Sequence, residues 1–385
     1  MKIYAGFDLP RQILMFSTAD WDAPLWTNKQ QVASRLAKYF DIIYVEPLAA
    51  VGAGQRKLLG GDSYTADCGV TVYRPPAAAP FGNKIWSVNR ANIAYASRGV
   101  KSIMREKGFS RPIFWCYPPT AQPFLTQIDS AVSCYDCVDE YSAFPGAWAI
   151  VTRKMEQRLL KSVDAVFTTA QSLFEAKRPY NKHTYFVPNV ADFGHFHKAT
   201  TAKPIGRIRN IKRPVIGFVG AVNYKLDGEL LATLFRLRPN WSFVFIGPDC
   251  GFGVDQLIRH RNAHFWGRKD IDELPAIMAG FDVCMIPYKL NRYIEGVLPL
   301  KFFEYLATGK PVVATKMAEL EKYTPMVDLI TTPEDFVNAV ERRLADDPHR
   351  EQRLALARAN SWEHRIERML TILENVYQEK REDHL

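Results

Sequence analysis

The run VIGFVGAVNYKLDGELLATLFRLRPNWSFVFI (residues 215–246) contains the repeating pattern from which the fold can be predicted. Two short segments, Val215 to Val219 and Ser242 to Ile246, have the length and the Val, Ile and Phe content of buried strands. Between them, Asp227 to Leu237 has the apolar spacing of an amphipathic helix. Strand, helix and strand in this order form a unit whose two strands pair in parallel, so the fold class is α/β.

The same alternation continues in both directions from this unit. The other strands that we predict are 12–16, 42–45, 70–73, 113–116, 131–135, 165–168, 184–187, 264–265, 283–286 and 312–314. The other helices that we predict include 29–40, 271–278, 300–307 and a helical region from Pro333 to the end. Residues 198–213, KATTAKPIGRIRNIKR, hold six basic residues, no acidic residue, a Pro and a Gly, which is typical of a linker. We therefore expect two doubly wound domains, 1–197 and one beginning at residue 214, with ligand bound in the cleft between them.

The amino-acid composition excludes several classes of protein. Of the 385 residues, 47% are hydrophobic and 24% are charged, which excludes disordered, collagen-like and fibrous proteins. No apolar stretch reaches the roughly 18 residues of a spanning helix, and the first residues lack the apolar region of a signal peptide. We therefore expect a cytoplasmic location. The net charge of +9 favours an anionic partner, and nucleic acid is disfavoured because no zinc-finger spacing, RNP-like motif or basic tail is present.

One candidate phosphate site follows the strand that ends at Val219. The chain runs from this strand into Gly220 and then into a polar turn that contains Asn223 and Lys225. Glycine lets the backbone approach a phosphate closely, and the lysine could supply positive charge. The pattern is not GxGxxG, which disfavours a nicotinamide or flavin cofactor. The alternative is a tight turn with an exposed lysine.

A second candidate site begins at Pro299. Proline at a helix start leaves the amides of Leu300 and Lys301 pointing outward, which suits an anion. Glu304 lies about one turn further into the helix, where a carboxylate can accept hydrogen bonds from sugar hydroxyls. Gly309 then ends the helix. The alternative is a core helix with a solvated lysine and glutamate.

Several segments, taken in order, carry a resemblance to a known family. The segment PLKFFEYLATGKPVVAT (residues 299–315) resembles the donor-site signature of GT-B glycosyltransferases related to family 4, in the branch of bacterial exopolysaccharide and teichuronic-acid type pathways. The other matching pieces are DW (20–21), YVEP (44–47), YDCVDEYSAFPG (135–146), VPNVADFGHF (187–196), GFVGAVNYKLD (217–227), WSFVFIGPD (241–249), HFWGRKDIDELP (264–275) and SWEHR (361–365). The similarity spans nearly the whole chain.

The resemblance implies a GT-B architecture, in which two doubly wound Rossmann-like domains face each other across a cleft. A nucleoside-diphosphate sugar would be held mainly by the C-terminal domain, 214–361, while the acceptor approaches the N-terminal domain and a helix over 362–385 crosses back. By position, the donor contacts would be Gly220 and Lys225 at the diphosphate, Gly267 and Arg268 at the nucleobase edge, Leu300 and Lys301 at the pyrophosphate or sugar, and Glu304 at the ribose. The resemblance implies neither a metal nor another cofactor.

The chain departs from the family pattern at three points. The first carboxylate of the usual Glu-x7-Glu would stand at Gly296, so the adjacent Glu295 becomes a candidate for sugar contact. An arginine that commonly follows the phosphate-loop glycine is Ala221 here. Where many relatives carry a histidine beside the donor sugar, we select Asp139 as the group that activates the acceptor or stabilises a cation. Its alternative role is to cap the turn that follows its strand.

Two weaker signals concern the acceptor side and a membrane. Asp20 and Asp22 form a DxD pair without further ligands nearby in sequence, so we expect them to face the acceptor rather than bind a metal. Within 85–107, four basic residues fall in an arc of about 80° on a helix whose other side is apolar. These four residues are Arg90, Arg98, Lys101 and Arg105. They could lie on an anionic membrane or simply face water.

The sequence therefore favours transfer of a sugar from a nucleoside-diphosphate sugar to a hydroxyl of a glycan or lipid-linked saccharide, in polysaccharide or cell-envelope glycan synthesis. Two alternatives stay open. One is a nucleotide-sugar epimerase on the same scaffold, and the other is a catalytically inactive GT-B-like subunit associated with a membrane. The sequence does not select the nucleobase, the sugar, the acceptor or the stereochemical course.

Overall fold

A computed structural model describes residues 6–23, 26–49, 61–82, 84–144, 148–295 and 297–383. The chain forms two compact units. Unit 1 contains the residues up to Val187 and those from Ile366 onward, and unit 2 contains Pro188–Arg365. Within the described ranges, every helix is too short or too polar to cross a membrane.

Unit 1 is built on an eight-stranded sheet. Its strands are β1 (Gln12–Phe16), β2 (Asp41–Val45), β3 (Asp62–Thr65), β4 (Thr71–Arg74), β5 (Ile113–Cys116), β6 (Val132–Cys137), β7 (Ala165–Thr168) and β8 (Thr184–Phe186). They lie in the order β3-β4-β2-β1-β5-β6-β7-β8, and all neighbours are parallel except β3, which runs antiparallel to β4. Ile13 is paired with Ile42 on one side and with Ile113 on the other. The central strands are apolar on both faces because helices cover both faces of such a sheet.

The helices of unit 1 connect these strands. They are α1 (Asn28–Leu36), α2 (Trp86–Glu106), α3 (Gln122–Leu125), α4 (Ala149–Leu160) and α5 (Gln171–Lys177), with a 3-10 helix at Tyr141–Ala143. The helix predicted to reach Phe40 ends at Leu36, and the chain then forms a turn in which the Tyr39 and Phe40 N–H groups both donate to the Leu36 carbonyl at 2.9 Å.

Unit 2 contains a fully parallel six-stranded sheet. Its strands are β9 (Val215–Val219), β10 (Ser242–Ile246), β11 (Ala263–Phe265), β12 (Val283–Ile286), β13 (Val312–Thr315) and β14 (Asp328–Ile330). Their order is β11-β10-β9-β12-β13-β14. Ile216 on the central strand β9 pairs with Phe243 and with Val283. This is the doubly wound Rossmann order, whose direction of winding reverses between the first and fourth strands, here β9 and β12.

The helices of unit 2 lie between and after these strands. They are α6 (Phe193–Phe196), α7 (Gly228–Leu237), α8 (Leu274–Met278), α9 (Arg292–Glu295), α10 (Leu300–Ala307), α11 (Ala318–Glu321), α12 (Pro333–Ala345) and α13 (Arg350–Ala359). Short 3-10 helices cover His197–Thr200, Gly206–Arg209, Val254–Gln256 and Ile271–Glu273. The last helix, α14 (Trp362–Glu382), continues from unit 2 into the part of the chain that belongs to unit 1.

The predicted α/β class is confirmed, and each predicted strand is present with its ends shifted by no more than two residues. The boundary between the units lies earlier than the sequence predicts, because residues 188–197 belong to unit 2. The segment 198–213 was predicted to be a linker. It instead contains 3-10 turns, and the Ile208 side chain is buried against Gly280. Basic composition alone did not reveal this packing.

Candidate functional site

Three glycines stand at the carboxyl ends of three adjacent strands in unit 2. The Gly220 N–H donates to the Ile246 carbonyl at 2.8 Å, and the Gly247 N–H donates to the Gly267 carbonyl at 2.9 Å. Gly220 and Gly247 have φ angles of 143° and 145°, which side chains rarely adopt. A Cβ added to Gly247 would lie 2.0 Å from the Gly220 carbonyl oxygen. Only glycine fits here, and it leaves a surface of bare backbone at this edge of the sheet.

Lys301 lies at the point where the winding of the sheet reverses. A Cβ added to Gly220 would lie 2.9 Å from Lys301 Cε and 3.1 Å from Nζ, so the lysine passes directly over the end of β9. Its Nζ donates to the hydroxyl of Tyr288, which follows β12, at 2.6 Å. We call Gly220, Tyr288 and Lys301 the switch-point cluster. Ligands of doubly wound sheets bind at this position, and the cluster supplies bare backbone and a positive charge there.

The helix that carries Lys301 is fixed to the sheet by one buried tyrosine. The Tyr305 hydroxyl of α10 accepts from the Val219 N–H at 2.7 Å and donates to the Val219 carbonyl at 3.2 Å. Before the helix, the buried Asn189 amide donates to the Leu298 carbonyl at 2.6 Å. Pro299 is the N-cap, and its carbonyl accepts from the Phe302 N–H at 3.1 Å. The amino end of α10, with its positive dipole, is therefore held beside the switch-point cluster.

Glu304 carries a carboxyl group whose pKa is raised. Burial raises the pKa of its carboxyl to about 7; the Lys301 ammonium lowers this pKa, and the Asp192 carboxylate raises it further. The side chain is partly buried by surface area. Near neutral pH, a carboxyl group with this pKa is present in both its protonated and its ionised form. The protonated form can donate a hydrogen bond, and the ionised form accepts one.

Lys225 lies on the loop after β9 and faces a second tyrosine. Its Nζ is 5.0 Å from the centre of the Tyr293 ring. The Asn223 side-chain oxygen accepts from the Lys225 N–H at 3.1 Å, so this asparagine shapes the turn. The Lys225 carbonyl accepts from the Lys289 N–H at 2.7 Å. Lys225 and Lys301 are therefore both anchored to the segment that follows β12.

The remaining predicted donor residues divide into two groups. Gly267 and Arg268 are exposed on the loop after β11, and Gly267 has a φ angle of 67°. Leu300 is partly buried at the first position of α10. The side chain of Glu295 and residue Gly296 lie outside the described residues, so the expected sugar contact stays a prediction.

In unit 1, Asp139 follows the carboxyl end of β6 and is partly buried. Its carbonyl accepts from the Tyr141 N–H at 3.1 Å. The neighbouring Glu140 has a different role, since it pairs with the buried Lys177 at 2.9 Å. Lys177 also pairs with the buried Glu156 at 2.6 Å. Glu140 thus belongs to a structural ion-pair network, and Asp139 stays the candidate for chemistry.

The two aspartates predicted for the acceptor side are exposed on the loop after β1. The Asp22 carboxylate pairs with Arg74 at 2.5 Å and accepts from the Tyr64 hydroxyl at 2.9 Å. The Asp20 carbonyl accepts from the Gln30 amide at 2.9 Å. Over the described ranges, His, Cys, Asp and Glu form no group of three that could hold a metal ion, and the metal-free reaction stays a prediction.

The basic residues predicted on one side of a helix lie on α2. All four are exposed, namely Arg90, Arg98, Lys101 and Arg105, and we call them the α2 stripe. The opposite side of the helix is buried through residues such as Ile93, Val100 and Ile103.

Sequence reasoning missed the side chains that hold the site together. Tyr288 and Tyr305 carry no local sign of a role in the sequence, and Asn189 and Asp192 stand out there only as part of the segment VPNVADFGHF. Their partners lie far away in sequence, as in the Tyr305 to Val219 contact across 86 positions. A tyrosine in an apolar run carries no sign of such a partner.

Comparison with known proteins shows what the chain resembles. Residues 213–346 match the family model described as glycosyl transferases group 1. The solved structure of sucrose-phosphate synthase from Thermosynechococcus elongatus matches 96% of the chain and 99% of its own length. The identity is 15% and the TM-score is 0.72. The chain therefore has the GT-B fold, and its segment 213–346 is similar to the glycosyl transferases of group 1. This segment contains every donor residue predicted in unit 2, from Gly220 to Glu304.

Two further proteins that the chain resembles are informative. A Bacillus subtilis (strain 168) protein named as a teichuronic acid biosynthesis glycosyltransferase, TuaH, is 29% identical over 250 residues, which cover 59% of the chain. The match spans 63% of that relative's length. The Anabaena protein HepE, whose structure was solved in complex with UDP and glucose, matches 93% of the chain and 98% of its own length. The identity is 12% and the TM-score is 0.63.

Proposed function

We propose that the protein transfers a sugar from a nucleoside-diphosphate sugar to a hydroxyl of a glycan or lipid-linked saccharide, in polysaccharide or cell-envelope glycan synthesis. The observation that carries the proposal is the switch-point cluster. Lys301 lies over Gly220, beside the amino end of α10, within the domain that matches the group 1 family. TuaH, by its name, belongs to teichuronic acid biosynthesis, which favours a cell-envelope glycan as the product.

The donor's diphosphate would bind against the glycine-lined edge of the sheet. When the bond to the sugar breaks, negative charge develops on the departing diphosphate, and preorganised positive groups lower the energy of this transition state. Lys301, Lys225 and the free amides at the start of α10 are the groups that would do so. Gly267 and Arg268 would contact the nucleobase.

Glu304 would accept hydrogen bonds from the ribose hydroxyls, since it lies one turn into α10, behind the anion-binding amides. Asp139 would act on the acceptor side in unit 1, as a base for the attacking hydroxyl or as a group that stabilises positive charge on the sugar. Asp20 would lie near the acceptor, whereas Asp22 already pairs with Arg74.

A peripheral location on the inner face of the cytoplasmic membrane forms part of the proposal. The α2 stripe is exposed along one side of a long helix. Exposed cations of this kind are attracted to anionic lipid head groups by about 1 kcal/mol each. A lipid-linked acceptor would be reached from such a position.

The experiment is a calorimetric titration of the full chain with a panel of nucleoside-diphosphate sugars, followed by hydrogen exchange. A bound donor stabilises the folded state by mass action, so heat and protection of residues 299–309 should appear with one donor. Labelled donor should then lose its sugar to a membrane-extracted acceptor. Absence of heat with every donor would overturn the proposal. An epimerised sugar nucleotide formed from donor alone would favour the epimerase, and binding without transfer would favour an inactive subunit.

A further inference from the structure

Unit 1 contains a cavity of about 340 Å³ at its own switch point. In the strand order of unit 1, the direction of winding reverses between β1 and β5, and the cavity lies beyond the ends of these two strands and of β2. The amino-terminal half of α2 and the loop before it line the other side. Its volume lies within the range of small-molecule sites. Its walls are mostly apolar and include Phe16, Leu48, Phe81, Ile93 and Phe124.

The asparagines that line the cavity already have partners inside the protein. The Asn92 amide donates to the Ala79 carbonyl at 2.8 Å, and its oxygen accepts from the Ala79 N–H at 2.9 Å. The Asn89 amide donates to the Thr120 carbonyl at 3.1 Å. Both side chains therefore fix the loops around the cavity.

Two other polar residues in the cavity wall also have partners inside the protein. The Glu46 carboxylate accepts from the Trp21 N–H at 2.9 Å and pairs with Arg74 at 3.2 Å. The Ser17 hydroxyl lies 2.5 Å from that of Tyr44. A saccharide needs polar groups that turn toward it, whereas a hydrocarbon chain needs none. The lining therefore favours an apolar occupant.

Phe81, at the rim of the cavity, is held in an unfavourable conformation. Its φ angle is 68°, which is an outlier for a bulky residue, and its side chain is 58% exposed. Its carbonyl accepts from the Lys84 and Ile85 N–H groups, each at 2.8 Å. Neither burial nor backbone preference explains an aromatic ring here, and strain of this kind is concentrated at functional positions.

The rim combines exposed apolar side chains with a cation. Lys84 Nζ is 5.8 Å from the centre of the Phe81 ring and 5.4 Å from that of Trp148, which is 53% exposed. Ile85, whose N–H bonds to the Phe81 carbonyl, is exposed as well. Aromatic and aliphatic side chains beside lysine are typical of surfaces that lie at the boundary between water and lipid. The α2 stripe begins one turn later, at Arg90.

We propose that this cavity binds the hydrocarbon chain of an anionic lipid acceptor, while Lys84 and the α2 stripe attract its phosphate. The inference rests on the proposed function and specifies the acceptor as a lipid that carries a phosphate. The apolar walls match the chain, and the cationic rim matches the head group. Phe81 is the residue that covers the chain at the entrance.

The test uses dodecyl phosphate, below its micellar concentration, as the probe for the full chain. Binding is followed by the fluorescence of tryptophan and by calorimetry. Ala79→Phe places a ring in the exposed part of the lining and should weaken binding roughly tenfold or more, because it displaces part of the chain. Ala176→Phe, the same change at an exposed position of α5, is the control and should leave binding unchanged.

A second variant separates loss of binding from loss of folding. Phe81→Gly removes the ring and relieves the backbone strain, so its thermal stability should be equal to or higher than that of the wild type while its affinity for dodecyl phosphate falls. Equal affinity in the wild type and both variants would overturn the inference, as would equal binding of inorganic phosphate or displacement of the probe by a chain-free disaccharide. Donor titration of the same proteins tests the proposed function separately. Donor binding retained in Ala79→Phe, with probe binding lost, supports the inference.

Discussion

At neutral pH, Glu304 is divided between its protonated and ionised forms, because burial raises its pKa to about 7. If this carboxylate accepts hydrogen bonds from the ribose, the ionised form binds the donor more strongly. Donor affinity should therefore rise between about pH 6 and about pH 8, and Glu304→Gln should lower the affinity roughly tenfold and remove this dependence. Calorimetric dissociation constants across this range check the prediction. A wild-type affinity that is constant with pH would contradict it.

The raised pKa of Glu304 also leads to a prediction about how the stability of the fold changes with pH. Its pKa rises from 4.5 to about 7 on folding, so its effect on stability is most favourable below pH 4.5 and is lost as the pH rises through about 7. Replacement by glutamine removes this loss. At about pH 8, Glu304→Gln should raise the free energy of unfolding by up to about 3 kcal/mol, and by much less at about pH 5. Urea unfolding at the two pH values measures the difference, which must grow with pH.

Lys301 is the residue most directly tied to the chemistry that we propose. Its ammonium lies over Gly220, where the departing diphosphate would bind. Lys301→Ala should lower kcat roughly a hundredfold, as expected for loss of one charged group that stabilises a transition state. Lys212→Ala, at an exposed position before β9, is the control and should be near wild type. A similar kcat for both variants would show that the diphosphate binds elsewhere.

At the scale of elements, the close approach of β9 and β10 can be tested through two glycines. Gly247 and Gly251 both have positive φ angles, 145° and 81°. A Cβ on Gly247 would lie 2.0 Å from the Gly220 oxygen, whereas a Cβ on Gly251 would meet nothing within 4 Å. Gly251→Ala should cost about 1 kcal/mol of unfolding free energy from backbone strain alone, and Gly247→Ala about 3 to 5 kcal/mol. Urea unfolding distinguishes them, and equal costs would mean that the contact is easily relieved.

The elements also show which parts of the fold a sequence can reveal. β9 and β12 are continuous apolar runs because both faces of a parallel strand are buried, and such runs stand out from their surroundings. β3 has the sequence DSYT and lies at the sheet edge with alternating exposure, so it carries no such signal. β14 has three residues and begins with Asp328. Strands whose stability comes from a neighbour, rather than from their own burial, were therefore missed.

The candidate site, like the fold, can be predicted only in part from the sequence. Local rules place Gly220 after a strand and Lys301 at a helix start, and the structure brings these two residues together. No local rule specifies that Tyr288 would bond to that lysine, or that Tyr305 would fix α10 to β9. These contacts depend on the order of strands in the sheet, which a hydrophobic pattern does not contain.

At the scale of the whole molecule, the positive charge is not spread evenly. The net charge is +9, and α2 alone presents four exposed basic residues on one side. The segment 198–213 is more basic, with six Lys or Arg residues, yet it packs within unit 2 through the buried Ile208. A high content of basic residues therefore does not by itself identify a binding surface. The amphipathic period of α2, rather than its charge content, is the reason that we propose α2 as the surface facing a membrane.

This difference leads to a prediction about vesicle binding. The full chain should bind vesicles that contain phosphatidylglycerol more strongly than vesicles of phosphatidylcholine alone, and the excess should fall as salt rises from about 0.1 M to about 0.5 M. The double change Arg98→Glu and Lys101→Glu should weaken binding to the anionic vesicles by roughly a hundredfold, since each basic residue near the surface contributes about 1 kcal/mol. The control Lys161→Glu and Lys182→Glu changes the net charge equally at exposed positions outside α2. Vesicle sedimentation measures all three proteins, and equal losses in the two double variants would mean that net charge, not the α2 stripe, governs the attraction.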